Sequence, residues 1–332
     1  MDAMTAKFGI SLSNRSVLFD WATTEDLLSA AQTAEESGFF HGVWVGDNFL
    51  SKPRLDSIVT LSAIATRTRE VKLGTICMAS FTMRHPIPLA IQWASLDILS
   101  QGRTILAVCN GAGDQDGPQF ANELKAMGVA SNERVGRLTE GVTILRRLWS
   151  EKSVTHQGRY YNFSDVELLP KPVQQPLPIF LAINPKGEVE DKVMDRILRR
   201  VAKYGDGWQS DSTPAETFKK RFDIIREHAA RDGRDPSLLE SCLHLMVNIN
   251  DDPEEAFAEA ENYLRLYYGA GHITRERAET WLAYGTPENV VKKIQSYIDA
   301  GCTMPVLRFC SPNLKQQLER CIQEVLPAFK TN

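Results

Sequence analysis

The segment LGTICMASFTMRHPIPLAIQWASLDILSQGRTILAVCNGAG, Leu73 to Gly113, decides the fold. VKLGTICMA (Val71 to Ala79) and RTILAVCNG (Arg103 to Gly111) are short apolar runs that read as strands. Between them PIPLAIQWASLDILS (Pro86 to Ser100) has the length and period of a helix. Strands that are apolar on both faces belong in a parallel sheet covered by helices.

The same beat extends in both directions. Upstream, KFGISL (Lys7 to Leu12) and GVWVGD (Gly42 to Asp47) read as strands one and two. The helix from Thr24 to Gly38 has a Thr cap region and a Gly stop, and a second helix runs from Ile58 to Thr68. Downstream lie an amphipathic stretch (Asn132 to Trp149), the hairpin-like insertion HQGRYYNF, the Pro-rich connector Leu168 to Pro178 and the strand-like IFLAI. DGWQS, CLHLMVNI and PVLRFC read as further strands, separated by helical segments including Pro253 to Gly269 and Pro287 to Gly301. About eight βα units close more naturally into a (β/α)8 TIM barrel than they remain open. The expectation is one α/β barrel domain over residues 1–332, with insertions at the C-terminal mouth. An open doubly wound sheet is the alternative, but no GxGxxG follows strand one and no GxxxxGK[ST] occurs.

Composition narrows the function classes. Hydrophobic residues make up 43% and charged residues 24%, as in an ordinary globule with a sizeable core. The net charge of −4, without a Lys/Arg block, builds no field for a phosphate backbone, so nucleic acid is not an expected partner. No run approaches the roughly 18–20 apolar residues of a membrane span, and MDAMTAKFGI lacks the order of a secretory signal. A cytoplasmic protein with no membrane partner is expected. The six cysteines form no CxxC pair or metal-like spacing and read as reduced thiols, with no metal site.

The Leu73 to Gly113 segment closely resembles strands three and four of the bacterial-luciferase-like flavin enzymes. ERVGRLTEGVTILRRLW (Glu133 to Trp149), AKYGDGW (Ala202 to Trp208) and YGTPENVVKKIQSYIDAGC (Tyr284 to Cys302) are similar in spacing, so the resemblance covers nearly the whole chain. It implies a luciferase-like barrel and a two-component flavin-dependent monooxygenase acting on a small organic substrate. Reduced FMN would come from a separate flavin reductase, a transient partner, and O2 would be the oxidant. It also implies a homodimer formed through helices near the second and third strands.

The resemblance places a bulge with a non-prolyl cis peptide near Ile76-Cys77, so that Ile76, Cys77 and Ala79 would line the cofactor. Cys109 and Asn110 fall at positions beside the flavin. The Asn110 amide offers donors and acceptors suited to a pyrimidine edge, although it also suits a turn before Gly111. Cys109 reads equally well as a buried inert thiol. For the phosphate tail the resemblance indicates Asn184 with the following PKG loop, together with Asp211, Ser212 and Thr213. Asp211 fits only through its backbone N–H, since its carboxylate would repel the anion. DSTPAE is also a helix start, with Ser or Thr as N-cap and Pro as first helical residue, and a helix N-terminus is itself an anion site. His244 stands where a sulfonate-oxidising branch carries a histidine facing the mouth, and a satisfied core histidine is the alternative. His244 and Asn48 are the candidate catalytic residues. Arg308, in the last strand, is costly to bury without an anion.

The chain departs from the deazaflavin-dependent dehydrogenases that share this fold. Their VWV-D-H pattern and the tryptophan beyond it meet Asn48 and Lys52 here, their strand-four glutamate meets Ala112, and a lysine near the phosphate meets Pro214. These changes disfavour sugar-phosphate dehydrogenation, which needs the lost acid and base. Another deazaflavin-dependent oxidoreductase is therefore the second hypothesis, and a non-catalytic relative of the flavin barrels the third. Tyr263 to Tyr284 is expected to form a mobile cover, faced by the polar loop Gly113 to Phe120.

Overall fold

A computed structural model of the chain describes residues 6–185 and 189–330. The first half carries strands β1 (Phe8–Leu12), β2 (Phe40–Asp47), β3 (Lys72–Met78) and β4 (Thr104–Val108). Helices α1 (Thr24–Glu36), α2 (Ser57–Arg67) and α3 (Pro86–Leu99) lie between them. Helices α4 (Pro118–Ala126) and α5 (Arg134–Ser150) follow β4, then the strands β5 (Val154–Gln157) and β6 (Asn162–Val166). The second half contains β7 (Ile179–Ala182), α6 (Asp191–Tyr204), β8 (Gly207–Asp211), α7 (Ala215–Arg231), β9 (Glu240–Ile249), α8 (Pro253–Tyr268), α9 (Arg275–Trp281), β10 (Leu282–Gly285), α10 (Pro287–Asp299), β11 (Met304–Phe309) and α11 (Leu314–Arg320).

Parallel pairing runs β9-β11-β1-β2-β3-β4-β7-β8, and β8 pairs back to β9, so eight strands close the barrel. The long β9 holds two partners on one side: its first half pairs with β8, and Met246 to Ile249 pair with β10. Strand β10 is thus an addition above the barrel. LAYG is too short to stand out as a strand beside the helical periods around it. β5 and β6 form the antiparallel hairpin expected from HQGRYYNF.

The interior is filled by one large side chain meeting three missing ones. Trp44 of β2 is fully buried, and a Cβ added to Gly9, Gly42 or Gly74 would fall 2.6, 3.1 or 2.3 Å from its indole. Around it pack Ile76, Ile105, Ala107, Phe180, Cys242, Met304 and Val306, the inward residues of their strands. Strand alternation carries this inward face upward to Ser11, Cys109, Asn184, Gln209, His244 and Arg308. The floor of the mouth is therefore apolar and its rim polar.

The segment Tyr263 to Tyr284 packs onto the barrel: Tyr263, Leu264, Tyr267, Ala278 and Trp281 are buried in a cluster of their own that includes Met246 and Cys310. The tyrosine and tryptophan rings satisfy an apolar surface that polar neighbours in the sequence conceal. The Gly113 to Phe120 loop is partly ordered, becoming α4 at Pro118.

Candidate functional site

Strand β3 carries one extra residue. Thr75 pairs with Val45 and Met78 with Asp47, so three steps of β3 answer two of β2, and β4 shows the same one-residue excess. The bulge falls on Ile76 and Cys77, whose peptide bond is cis, where the resemblance put it. Cys77 lies beside Cys109, and its thiol is pushed well above the ordinary range by the hydrogen bond with Cys109 and then by removal from water. Cys109 Sγ points to the Met78 carbonyl at 3.8 Å.

The loop after β4 is drawn against the turn after β3. Gly111 has φ +67°, and a Cβ there would lie 2.6 Å from the Ala79 carbonyl oxygen. Arg134 of α5 donates to the carbonyls of Asn110 and Gly111 at 3.4 and 2.7 Å. Asn110 is thereby held by its backbone while its Oδ1 is buried without a partner.

Beyond the end of the adjoining strand β7, Asn184 Nδ2 donates to the Gln209 carbonyl at 3.2 Å and its Oδ1 has no partner. Lys186 and Gly187 of the adjoining PKG loop lie outside the described residues. Asp211 and Ser212 are half-buried, and Ser212 takes φ +44°. The helix start proposed for DSTPAE is corrected here: α7 begins at Ala215, with Pro214 as its N-cap and no side-chain cap. The Thr213 hydroxyl turns inward instead, donating to the Asp211 carbonyl at 2.8 Å and meeting Ser210 at 2.9 Å.

His244 is buried on β9, and its Nε2 has no partner. Burial, aided by Arg308, holds its pKa well below the ordinary value, so the ring is neutral at neutral pH. Asn48, half-buried just after β2, donates to Ser51 Oγ at 3.0 Å within its own loop. Just before it, buried Asp47 accepts from Ser57, from the N–H and hydroxyl of Ser80, and from Arg84.

Sequence reasoning missed two features. Glu123 of α4, buried, accepts from the N–H groups of Phe49, Leu50 and Ser51 at 3.0, 2.7 and 3.2 Å, fixing the loop that follows Asn48. Tyr267, at the end of α8, is ringed by Arg15, Arg54 and Arg308, their guanidinium carbons 5.3, 5.9 and 5.3 Å from its ring centre. Only Arg308 had a sequence signal, as a cation in an apolar strand. Among the described residues no group of three or more His, Cys, Asp or Glu is placed to hold a metal ion, and no helix is long and apolar enough to cross a membrane.

The sequence family described as luciferase-like monooxygenase matches residues 6–304. The chain belongs to this luciferase-like family. Its fold and its class, an oxidoreductase of the luciferase-like type, agree with the family's. An F420-dependent glucose-6-phosphate dehydrogenase of Kineococcus radiotolerans is 26% identical over 92% of this chain and 93% of its own. An F420-dependent hydroxymycolic acid dehydrogenase of Mycobacterium tuberculosis is 29% identical over 86% of this chain and 79% of its own. The structure of an F420-dependent secondary alcohol dehydrogenase in complex with an F420-acetone adduct superposes with a TM-score of 0.82. It covers 99% of this luciferase-like chain and 100% of its own, at 21% identity.

Proposed function

We propose that this chain is a deazaflavin-dependent oxidoreductase that uses coenzyme F420 to exchange a hydride with a small organic substrate. The supporting observation is the set of buried, unpartnered polar atoms at the strand ends: Asn110 Oδ1, Asn184 Oδ1, Gln209 Oε1 and His244 Nε2. Each unsatisfied buried group costs about 1–3 kcal/mol, a cost that a flat ring with a polar edge removes. Ile76, Cys77 and Ala79 would back the ring, Asn110 would meet its polar edge, and Ser212 with neighbouring N–H groups would hold the phosphate.

F420-dependent relatives that match over most of the chain favour the deazaflavin over the reduced FMN and O2 expected from the sequence. The coenzyme supplies a carbon that takes or gives a hydride, leaving the protein to position substrate and manage one proton. Neutral His244 would orient a substrate oxygen by a hydrogen bond. Asn48 and Ala112 provide no acid–base pair for a sugar, so the substrate would differ from glucose 6-phosphate.

Anaerobic titration of the purified chain with F420 and, separately, with reduced FMN tests the reading. Quenched F420 fluorescence with saturation is expected. Binding of reduced FMN alone, with oxygen consumed on exposure to air, would replace it with the monooxygenase.

A further inference from the structure

Three arginines converge on one side of the mouth. Arg308 of β11 is buried, donating through Nε and Nη2 to Ser11 Oγ at 3.1 and 2.7 Å and through Nη1 to the Tyr268 hydroxyl at 3.3 Å. Arg54, in the loop between β2 and α2, donates through Nη1 to the Tyr267 hydroxyl at 3.4 Å and through Nε to the Lys52 carbonyl at 3.1 Å. Arg15, in the loop after β1, donates to the Tyr267 carbonyl. Among the described residues no carboxylate lies within 4.0 Å of any of the three, although Arg84 nearby is paired with both Asp47 and Asp56.

A buried guanidinium is ordinarily paired, because an isolated cation is expensive to remove from water. Three of them sharing only hydroxyls, carbonyls and ring faces form a site of strong positive potential with no carboxylate as its counter-charge. Arg15 and Arg54 are half-buried and reach the solvent side, and Arg54 Nη2 makes no hydrogen bond with the described residues. In the barrel order β11, β1 and β2 stand opposite β4, β7 and β8, so this cluster lies across the mouth from Asn184 and Ser212.

We infer that Arg15, Arg54 and Arg308 form a subsite for an oxyanion head, carboxylate, phosphate or sulfonate, carried by the substrate. The assignment to the substrate rests on the coenzyme reading above, since the opposite rim is then taken by the coenzyme's phosphate. The anion chemistry of the subsite does not depend on it. The head docks on Arg15 and Arg54 beside the Tyr267 hydroxyl, with Arg308 beneath. It takes the place of the counter-charge that the Tyr267 phenol alone provides when it ionises. Burial alone would raise the Tyr267 phenol, but Arg308, Arg54, a hydrogen bond with Ser13 and Arg15 bring it down to about 7. An arriving anion therefore drives Tyr267 toward its protonated form.

The test uses inorganic sulfate as the probe. Thermal unfolding of the intact chain, of Arg308→Gln and of Arg54→Gln is followed while sulfate replaces chloride at constant ionic strength. The expected result is a saturable stabilisation of the parent chain, with sulfate affinity weakened roughly tenfold to a hundredfold in each variant, the loss of one charge-assisted partner. Tyrosinate absorption should fall as sulfate binds to the parent and stay constant in Tyr267→Phe. If Arg308→Gln does not fold, Arg54→Gln, changed at a half-exposed side chain, gives the answer. Equal stabilisation of the parent and the folded variants, or none in the parent, overturns the subsite. F420 titration of the parent is read separately: failure there removes the coenzyme reading and leaves the sulfate result standing on its own.

Discussion

The Cβ that Gly111 lacks would stand 2.6 Å from the carbonyl oxygen of Ala79. No real side chain tolerates that distance from backbone, and the φ of +67° disfavours one as well. The contact joins the turn after β3 to the end of β4, and Asn110 is the residue just before it. Gly111→Ala should therefore lower stability by about 1–3 kcal/mol, the range for a residue forced into a sparsely populated conformation. The Asn110 amide should shift with it. Urea denaturation measures the first effect and F420 titration the second. Unchanged stability together with unchanged coenzyme affinity would show that the approach of the two loops is not needed.

Trp44 and Gly74 fit as plug and socket: a Cβ on Gly74 would lie 2.3 Å from the indole. Gly74→Ala overpacks the barrel interior and should destabilise by about 1–3 kcal/mol. Trp44→Phe relieves the crowding at the cost of a small void. The double variant should then be more stable than the sum of the two single losses predicts, a coupling that a double-mutant cycle measures. Additive losses would mean the two residues do not meet.

Glu123 and Leu50 are joined by a 2.7 Å hydrogen bond, one of three that a single carboxylate oxygen accepts from the loop after β2. That loop carries Asn48, Lys52 and Arg54. Glu123→Gln removes the charge from all three bonds, each worth about 1.5–3 kcal/mol when intact and partly retained with an amide. Amide hydrogen exchange at Phe49, Leu50 and Ser51 should accelerate while that of the β3 strand stays slow. Equal acceleration in both would indicate global unfolding instead.

Much of the barrel was legible because each strand is a short apolar run and each covering helix has its own period. Leu73 to Gly113 declares a β-α-β unit without reference to anything distant. The cis bond at Ile76-Cys77 came from resemblance, since neither side chain announces it. LAYG escaped notice because four residues carry too little pattern, and its partner is the far half of β9. Thr213 misled for a physical reason: a hydroxyl before a helix ordinarily accepts from the first free N–H groups, but here it donates to the Asp211 carbonyl and accepts from Ser210, which turns its oxygen away from them. Arg15, Arg54 and Tyr267 are separated by 39 and 213 positions, 54 less 15 and 267 less 54, and only barrel closure makes them neighbours.

Tyr267 makes stability depend on pH in a direction its surroundings dictate. Arg15, Arg54 and Arg308 face it as cations, Tyr263 and Tyr268 as neighbouring phenols, and Ser13 as a hydrogen-bonding hydroxyl. Removal from water opposes ionisation, yet the three guanidinium groups prevail and lower the phenol to about 7 from 10.0 in the unfolded chain. Between those values the unfolded chain still holds the proton that the folded chain has released. Stability from this group therefore rises with pH across that window. It is complete above the unfolded value of 10.0 and lost as pH falls through about 7. Urea unfolding across the window should show this rise in the parent, and Tyr267→Phe should remove it while other ionisations continue unchanged. A parent and variant with the same pH slope would mean that the phenol stays protonated beside three arginines, and that their charge is balanced by another group.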